Sequence, residues 1–331
     1  MKKTFLSLLL MGAVITASAQ GARQAFALTG TVNGVKSGKV YLQKFYNKMF
    51  TTIDSAVVEN GNFTFQTKPV VPELYGITLN PAKSPYFLFL ENNKIEVTLD
   101  TASYFRKTLV KGSVSQDVYT AWQLDSKVSL EDLIKANPSA LATAYIFYRY
   151  YTYRTTPEEI EKGIALLDPA LHKTQYVEVL KKLPGTLRAV EVGKKAPDFS
   201  IKDTEGKDVH FASQLGKKYV LLDFWASWCG PCRAENPNLV RTYNTFKDKG
   251  FDIFAVSLDR SGDRDKWLKA IADDNLTWKH VSDLAYWNCE PAALYGVRAI
   301  PSNLLIAPDG TIVARNLRGK ALDEKLAELL K

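Results

Sequence analysis

Short apolar and polar stretches alternate along the first part of the chain, and turn residues separate them. Runs such as 26–32, 40–45 and 86–90 are rich in β-branched and aromatic side chains, which is typical of strands. Asn60-Gly61 stands between two further runs and suits the positive φ angles of a two-residue hairpin turn. The pattern predicts that residues 20–112 form a small antiparallel, sandwich-like β domain.

Helical periodicity replaces this alternation in residues 113–190. Thr156, Pro157 and Glu159 combine a helix N-cap, a proline in the first turn and the glutamate of a capping box. The sequence Leu183-Pro184-Gly185 predicts the end of the helical region. The run 145–153 is unusually aromatic, which fits either packing against the neighbouring domain or a partner surface.

Strand-like and helical patterns alternate in residues 191–331. The strand-like runs are residues 198–202, 219–226, 251–258, 278–281, 302–307 and 311–315. The helical stretches are residues 229–249, 263–274, 291–295 and 321–330. This alternation predicts an α/β domain in which helices cover both faces of a central sheet.

The first residues have the features of a secretory signal peptide. Lys2 and Lys3 precede an apolar stretch, residues 5–15, and a small-residue cleavage site ends at Ala19. We therefore expect a signal peptide over residues 1–19, export to the periplasm, and no stable membrane insertion after cleavage. An uncleaved membrane anchor is the alternative, although the apolar stretch is short for a membrane span.

Charge and cysteine content exclude two classes of protein. The formal net charge of +8 is spread along the chain without a basic stripe, so a nucleic-acid partner is not expected. Three cysteines in 331 residues do not make a disulfide scaffold. Two of them, Cys229 and Cys232, form a close pair, whereas Cys289 stands alone and is most simply a free or buried thiol.

The close cysteine pair is the strongest chemical signal in the sequence. It lies where an apolar strand runs into a helix, and Gly230-Pro231 separates the two thiols. A helix N-terminus favours an anion there, so we expect the pKa of Cys229 to be lowered and Cys229 to be the nucleophile. A zinc site would need a second close pair of ligands that the sequence lacks, so neither a metal nor another cofactor is expected. A lone structural disulfide is the remaining alternative.

Residues 193–331 resemble the thioredoxin superfamily, and within it the exported TlpA/ResA-like branch. The residues that carry this resemblance are Asp223, Trp225, Trp228, Cys229-Gly-Pro-Cys232, Glu235 and Ile300-Pro301. More weakly, the preceding β-plus-helical part resembles a domain of unknown function found in exported proteins of the Bacteroidetes type.

The resemblance implies a set of site residues. Cys229, Cys232, Asp223, Glu235 and Pro301 would be catalytic, with Asp223 exchanging a proton with Cys232 and Pro301 following a cis peptide bond. The residues that would contact substrate are Trp228, Gly230, Pro231 and Ile300. Each also has a structural alternative: Asp223 as a hydrogen-bonded acid, Glu235 as a solvated side chain, Trp228 as a packing residue.

The expected function is that of a thiol–disulfide oxidoreductase. It would reduce disulfides of exported client proteins and receive electrons from a membrane thiol-reducing donor. One alternative is a thiol peroxidase of the same fold, although peroxidases place their reactive cysteine in a different motif. The other is a non-catalytic envelope binding protein with a redox-like domain.

Overall fold

A computed structural model describes residues 27–331, so the predicted signal peptide lies outside the described residues. Eight strands form the N-terminal sheet: β1 (Ala27–Asn33), β2 (Ser37–Tyr46), β3 (Met49–Glu59), β4 (Asn62–Thr64), β5 (Glu73–Thr78), β6 (Tyr86–Leu90), β7 (Lys94–Asp100) and β8 (Leu109–Lys111). Their order is β6-β5-β2-β3-β4-β1-β7-β8. The pairs are antiparallel except β1 with β7, which is parallel. The prediction of a β domain is confirmed, with one unforeseen parallel pair.

The sheet curls back on itself. Strands β6 and β7 stand six positions apart in the order, yet only residues 91–93 connect them. Six strand spacings amount to about 29 Å in a flat sheet, whereas four residues reach at most about 14 Å. Leu88 and Leu90 from β6 accordingly share one hydrophobic cluster with Ile95 and Val97 from β7. The sandwich-like core is thus built by one curled sheet.

The predicted hairpin at Asn60-Gly61 is present. Glu59 pairs with Asn62, and the two turn residues have φ angles of 52° and 83°. A second two-residue turn, between β2 and β3, places Asn47 and Lys48 at φ angles of 43° and 64° without any glycine.

Five helices follow: α1 (Val114–Leu124), α2 (Leu130–Ala136), α3 (Leu141–Ile146), α4 (Pro157–Leu166) and α5 (Gln175–Ala189). They pack on the outer face of the sheet, where Phe45 and Phe89 meet the ring of Tyr145 at centroid distances of 5.5 and 5.6 Å. Tyr145 of the aromatic run therefore packs against the β domain, whereas Tyr148 and Tyr150 meet rings of the helical region, Tyr176 and Trp122. The predicted capping box at Thr156 is confirmed, since its side chain and that of Glu159 bond reciprocally to the backbone.

The predicted end of the helical region at Leu183-Pro184-Gly185 is wrong. Helix α5 continues through these residues to Ala189. Leu180 and Leu183 are buried in the helical core and Leu187 packs against it, so tertiary packing offsets the hydrogen bond that Pro184 cannot donate.

The C-terminal domain holds a small β9–β10 hairpin (Ser200–Lys202 and Asp208–His210) and a five-stranded sheet. The sheet strands are β11 (Tyr219–Trp225), β12 (Phe251–Ser257), β13 (Lys279–Val281), β14 (Ser302–Ile306) and β15 (Ile312–Arg315), in the order β13-β12-β11-β14-β15. The helices are α6 (Gly230–Phe246), α7 (Arg264–Asp273), α8 (Glu290–Leu294) and α9 (Lys320–Leu329). These elements lie close to the predicted ranges, and only β10 was not foreseen.

Strand β11 is central, pairing in parallel with β12 and antiparallel with β14. Its residues from Val220 to Trp225 are all buried, and α6 begins beyond its end. Within residues 27–331, every helix is too short or too polar to span a bilayer.

Two helical glycines allow a matched test of the helical packing. A Cβ added at Gly163 in α4 would lie 2.7 Å from the fully buried ring of Phe147, so Gly163→Ala should lower the free energy of unfolding by about 1–3 kcal/mol. A Cβ at Gly185 in α5 would meet nothing within 4 Å, so Gly185→Ala should raise it by about 0.5–1 kcal/mol. Urea denaturation of both variants measures the two changes, and a stabilising Gly163→Ala would contradict the packing of α4 on Phe147.

Candidate active site

The two close cysteines lie at the junction of β11 and α6. Cys229 is the N-cap residue of α6, and its sulfur accepts a hydrogen bond from the backbone N–H of Cys232 at 3.2 Å. The two residues form a disulfide, and Cys229 is 4% exposed. Gly230 and Pro231 between them are exposed, so this edge of the motif faces solvent.

A buried carboxylate that the sequence analysis missed fixes the loop before Cys229. Asp259 accepts hydrogen bonds from the backbone N–H of Ser227 at 2.9 Å and from its hydroxyl at 2.5 Å. The Ser257 hydroxyl donates to the same carboxylate at 2.6 Å. The available signal was an acid at the end of an apolar strand, β12, whose register places it beside the end of β11.

Asp223 is buried in the middle of the central sheet. It lies on β11, opposite Asn303 of β14. Burial raises the pKa of its carboxyl to about 7; the charge of Glu235 adds to the rise and that of Arg318 opposes it. The group can therefore take up or release a proton near neutral pH.

Glu235 is fastened to its surroundings. One of its carboxylate oxygens accepts from the backbone N–H of Gly319 at 2.8 Å, and the other accepts from the Asn238 side chain at 3.1 Å. It thereby ties α6 to the start of α9. Arg318, which the sequence analysis did not single out, donates to the carbonyl of Pro301.

The loop before β14 comes to the same place. The Ile300–Pro301 peptide bond is cis, as the resemblance implied. Ile300, Pro301 and Pro231 line one groove of about 670 Å³. The structure thus brings the cysteine motif and this loop together around one opening.

Trp228 extends the site on its other side. Its side chain is 42% exposed, and its indole N–H donates to the carbonyl of Leu258 at 3.1 Å. The rings of Tyr286 and Trp287 lie 5.2 and 6.2 Å from it, a neighbourhood that local sequence did not reveal. Cys289 is fully buried, and burial together with Asp283 raises the pKa of its thiol.

Both halves of the chain resemble known protein families. Residues 192–315 match the AhpC/TSA family, and residues 26–119 match a domain of unknown function, DUF4369. The thiol–disulfide oxidoreductase ResA of Bacillus thuringiensis subsp. konkukian is 33% identical over 151 residues, covering 43% of this chain and 78% of that protein. ResA of Bacillus subtilis is 32% identical over 128 residues, covering 38% and 66%. A solved thiol-disulfide oxidoreductase from Bacteroides fragilis is 39% identical, covers 41% of this chain and 100% of that one, and gives a TM-score of 0.39.

A disulfide-forming cysteine pair at the start of the active-site helix, on a sheet of this topology, defines a thiol–disulfide oxidoreductase with a thioredoxin-like fold. The chain belongs to the ResA-like family of these enzymes and carries an N-terminal DUF4369 domain. The predicted family, fold class and enzyme class are confirmed.

The buried carboxyl predicts a pH dependence of stability. The Asp223 carboxyl has a pKa of about 7 in the folded state and near 3.9 in the unfolded state. At a pH between these two values the folded protein holds the proton, and unfolding releases it. Asp223 therefore lowers the free energy of unfolding progressively as the pH rises from about 4 to 7. Above pH 7 the loss is constant, at about 4 kcal/mol.

Asp223→Asn removes this contribution. The oxidised variant should match the native protein near pH 4 and be increasingly more stable up to pH 7, with a constant difference above. Denaturant unfolding of both proteins at several pH values gives the difference. A difference that does not change between pH 4 and 7 would contradict a raised pKa.

Proposed function

We propose that the chain is an exported protein-disulfide reductase whose nucleophile is Cys229. The observation that carries this is the position of Cys229 as the N-cap of α6, with the Cys232 N–H directed at its sulfur. Once the disulfide is reduced, that N–H and the helix dipole stabilise a thiolate at Cys229. The thiolate is the form that attacks disulfides.

Reduction then proceeds in two exchanges. The Cys229 thiolate attacks one sulfur of a client disulfide, forming a mixed disulfide and expelling the other client sulfur as a thiolate. Cys232 gives its proton to Asp223 and attacks the Cys229 sulfur, which releases the second client thiolate and closes the Cys229–Cys232 disulfide. Two electrons have passed to the client, and a membrane thiol-reducing donor returns two to the enzyme.

The remaining site residues would hold the client and tune the proton transfer. Trp228, Gly230 and Pro231 are exposed around the dithiol, and Ile300 with Pro301 lines the groove beside it. An extended client segment can lie along the Ile300 backbone, as peptides do at strand edges. Glu235 acts through its charge, which raises the pKa of Asp223.

We further propose the organisation of the whole precursor. Residues 1–19 are a signal peptide cleaved near Ala19, and the mature enzyme works in the periplasm on exported proteins with disulfides. Its parts are a β-rich domain over 20–112, a helical connecting region over 113–190 and the thioredoxin-like domain over 191–331. The first two parts select the client.

Single cysteine substitutions test the two thiol roles. Cys232→Ala should accumulate a mixed disulfide with a disulfide-containing peptide, because no second thiol resolves it. Cys229→Ala should form none and lose at least about 10³-fold in rate. Non-reducing gels and mass spectrometry identify the adducts. If Cys229→Ala kept its activity, or trapped the peptide on Cys232, the assignment of the nucleophile would be wrong.

The reduction potential tests the direction of electron flow. Gly-Pro between the cysteines resembles reducing thioredoxins, so we expect a value near or below about −250 mV, against about −120 mV for strong oxidants. Equilibration of the mature protein in defined thiol buffers, read by alkylation of free thiols, measures it. A value above about −150 mV would exclude a reductase role and leave an oxidase or isomerase.

A further inference from the structure

The groove at the active site has a second wall that comes from outside the thioredoxin-like domain. On one side lie Pro231, Ile300 and Pro301. The segment between α3 and α4, where Tyr153 and Thr155 lie, lines the same groove. A segment that fills this groove beside Pro231 of the cysteine motif therefore touches the helical region as well.

Local hydrogen bonds hold the segment that forms the second wall. A π-helical turn, Phe147–Tyr151, leads into it, and the Thr152 hydroxyl donates back to the carbonyl of Tyr148 at 3.0 Å. The Thr155 hydroxyl donates to the carbonyl of Tyr151 at 3.2 Å, and the capping box of α4 closes the segment. Tyr153 nevertheless stays 53% exposed, and the Arg154 guanidinium lies closer to the ring of Tyr151 than to that of Tyr153, at 4.5 against 5.8 Å. Tyr153 lines the groove and faces solvent.

Contacts of the β domain and the helical region with the thioredoxin-like domain hold the two walls of the groove beside each other. Asn47, in the β2–β3 turn, donates to the carbonyl of Trp287 and to the side chain of Asn288, both at 2.7 Å. Lys48 is 9% exposed, donates to the carbonyl of Arg298 and lies 3.5 Å from the ring centre of Trp287. The guanidinium of Arg298 in turn stacks on a ring of the helical region, Tyr148, at 4.4 Å.

The charge of the groove is unbalanced. Three arginines line it, Arg298, Arg315 and Arg318, together with one acid, Glu191. Across residues 27–331, none of these three arginines forms a salt bridge within 4.0 Å. Other arginines of the chain are paired: Arg188 with Glu158 and Glu161, Arg233 with Asp274, and Arg241 with Asp323.

Of the three arginines, Arg298 gives the strongest indication that the groove binds an acceptor. Its Nε and Nη2 atoms are buried and find no hydrogen-bond partner within the described part of the chain. Buried donors of a charged group are costly to leave unsatisfied, so the Arg298 guanidinium would gain from turning toward a carboxylate bound in the groove that it lines.

We propose that this groove binds an extended client segment with acidic side chains next to its disulfide, and that the helical region is the second wall of the client site. The proposal rests on the proposed function and adds the class of client. A carboxylate beside the reacting cysteine would meet guanidinium groups that have no carboxylate partner within residues 27–331; Arg315 and Arg318 donate only to the carbonyls of Val190 and Pro301. The client segment would lie between Tyr153 and the Ile300–Pro301 loop. Carboxylate recognition by guanidinium is a strong, charge-assisted contact.

The first test needs no variant. Two peptides of one sequence, each closed by an internal disulfide and differing only in two Asp or two Asn beside a cysteine, are reduced by the full mature chain. We expect kcat/KM to be about tenfold higher for the acidic peptide, and the ratio to approach one near 0.5 M salt. Equal rates at low salt, or faster reduction of the Asn peptide, would overturn the proposal.

A small neutral disulfide, 2-hydroxyethyl disulfide, separates this proposal from the proposed function. Its reduction reports the dithiol chemistry and does not depend on charge in the client. If it is reduced and the two peptides are not distinguished, only the acidic client is wrong. If neither it nor the peptides are reduced, the proposed function fails and this inference fails with it.

Arginine variants test whether the preference for the acidic peptide arises in this groove. Arg298→Gln should lower the acidic-to-neutral ratio roughly threefold to fivefold, and Arg298→Lys, which keeps the charge but loses the guanidinium geometry, should lower it less. Arg106→Gln, the same change at an exposed arginine outside the groove lining, is the matched control and should leave the ratio unchanged. An equal loss in Arg106→Gln and Arg298→Gln would overturn the assignment to this groove.

The helical wall has its own test. Tyr153→Ala should lower kcat/KM for both peptides several-fold relative to 2-hydroxyethyl disulfide, because the small disulfide is too short to span the groove. Peptide rates that stay in proportion to the small-disulfide rate would show that the helical region does not contact the client. Circular dichroism of each variant confirms that the fold is kept.

Discussion

The active site depends on how α6 begins. A helix leaves its first N–H groups without partners, and an oxygen of Ser, Thr, Asp or Asn usually accepts one of them. In α6 this acceptor is the sulfur of Cys229. Sulfur in a thiol is a weak acceptor, whereas a thiolate is a full anion at the positive end of the helix. The cap of α6 is therefore better satisfied when the dithiol is reduced and ionised, which couples the helix start to the redox chemistry.

Two acids near the start of α6 differ in their effect on the stability of the folded protein. Asp259 accepts two hydrogen bonds from Ser227 in the loop before Cys229, and the Ser257 hydroxyl of β12 donates a third to the same carboxylate. Asp223, in contrast, has a buried carboxyl whose ionised form is disfavoured, and its pKa is raised to about 7. A structural role would be served better by an apolar residue there. The two acids therefore differ in their surroundings: hydrogen bonds satisfy Asp259, whereas burial raises the pKa of Asp223.

Local sequence predicted what local interactions determine. The strand and helix alternation, the Asn60-Gly61 turn and the capping box at Thr156 follow from periodicity and short-range hydrogen bonds, and the structure confirms them. The continuation of α5 through Pro184 could not be foreseen, because packing between distant residues overrides the local preference. The same holds for Asp259 and Arg318, which join the site only through strand register and a hydrogen bond across the fold.

The β2–β3 turn shows that the two halves of the molecule act as one unit. Both of its central residues have positive φ angles. Lys48 adopts this conformation although it has neither the conformational freedom of Gly nor the short polar side chain of Asn. Its ammonium group is also buried, and burial together with Arg298 and Arg149 lowers its pKa well below the usual range. An isolated hairpin would gain no stability from a positive φ angle at Lys48 or from a buried ammonium group. Contacts across the domain boundary explain both features, because Asn47 and Lys48 donate to the carbonyls of Trp287 and Arg298, and Lys48 lies over the ring of Trp287. In this architecture the N-terminal half contributes part of the lining of the groove beside the cysteine motif.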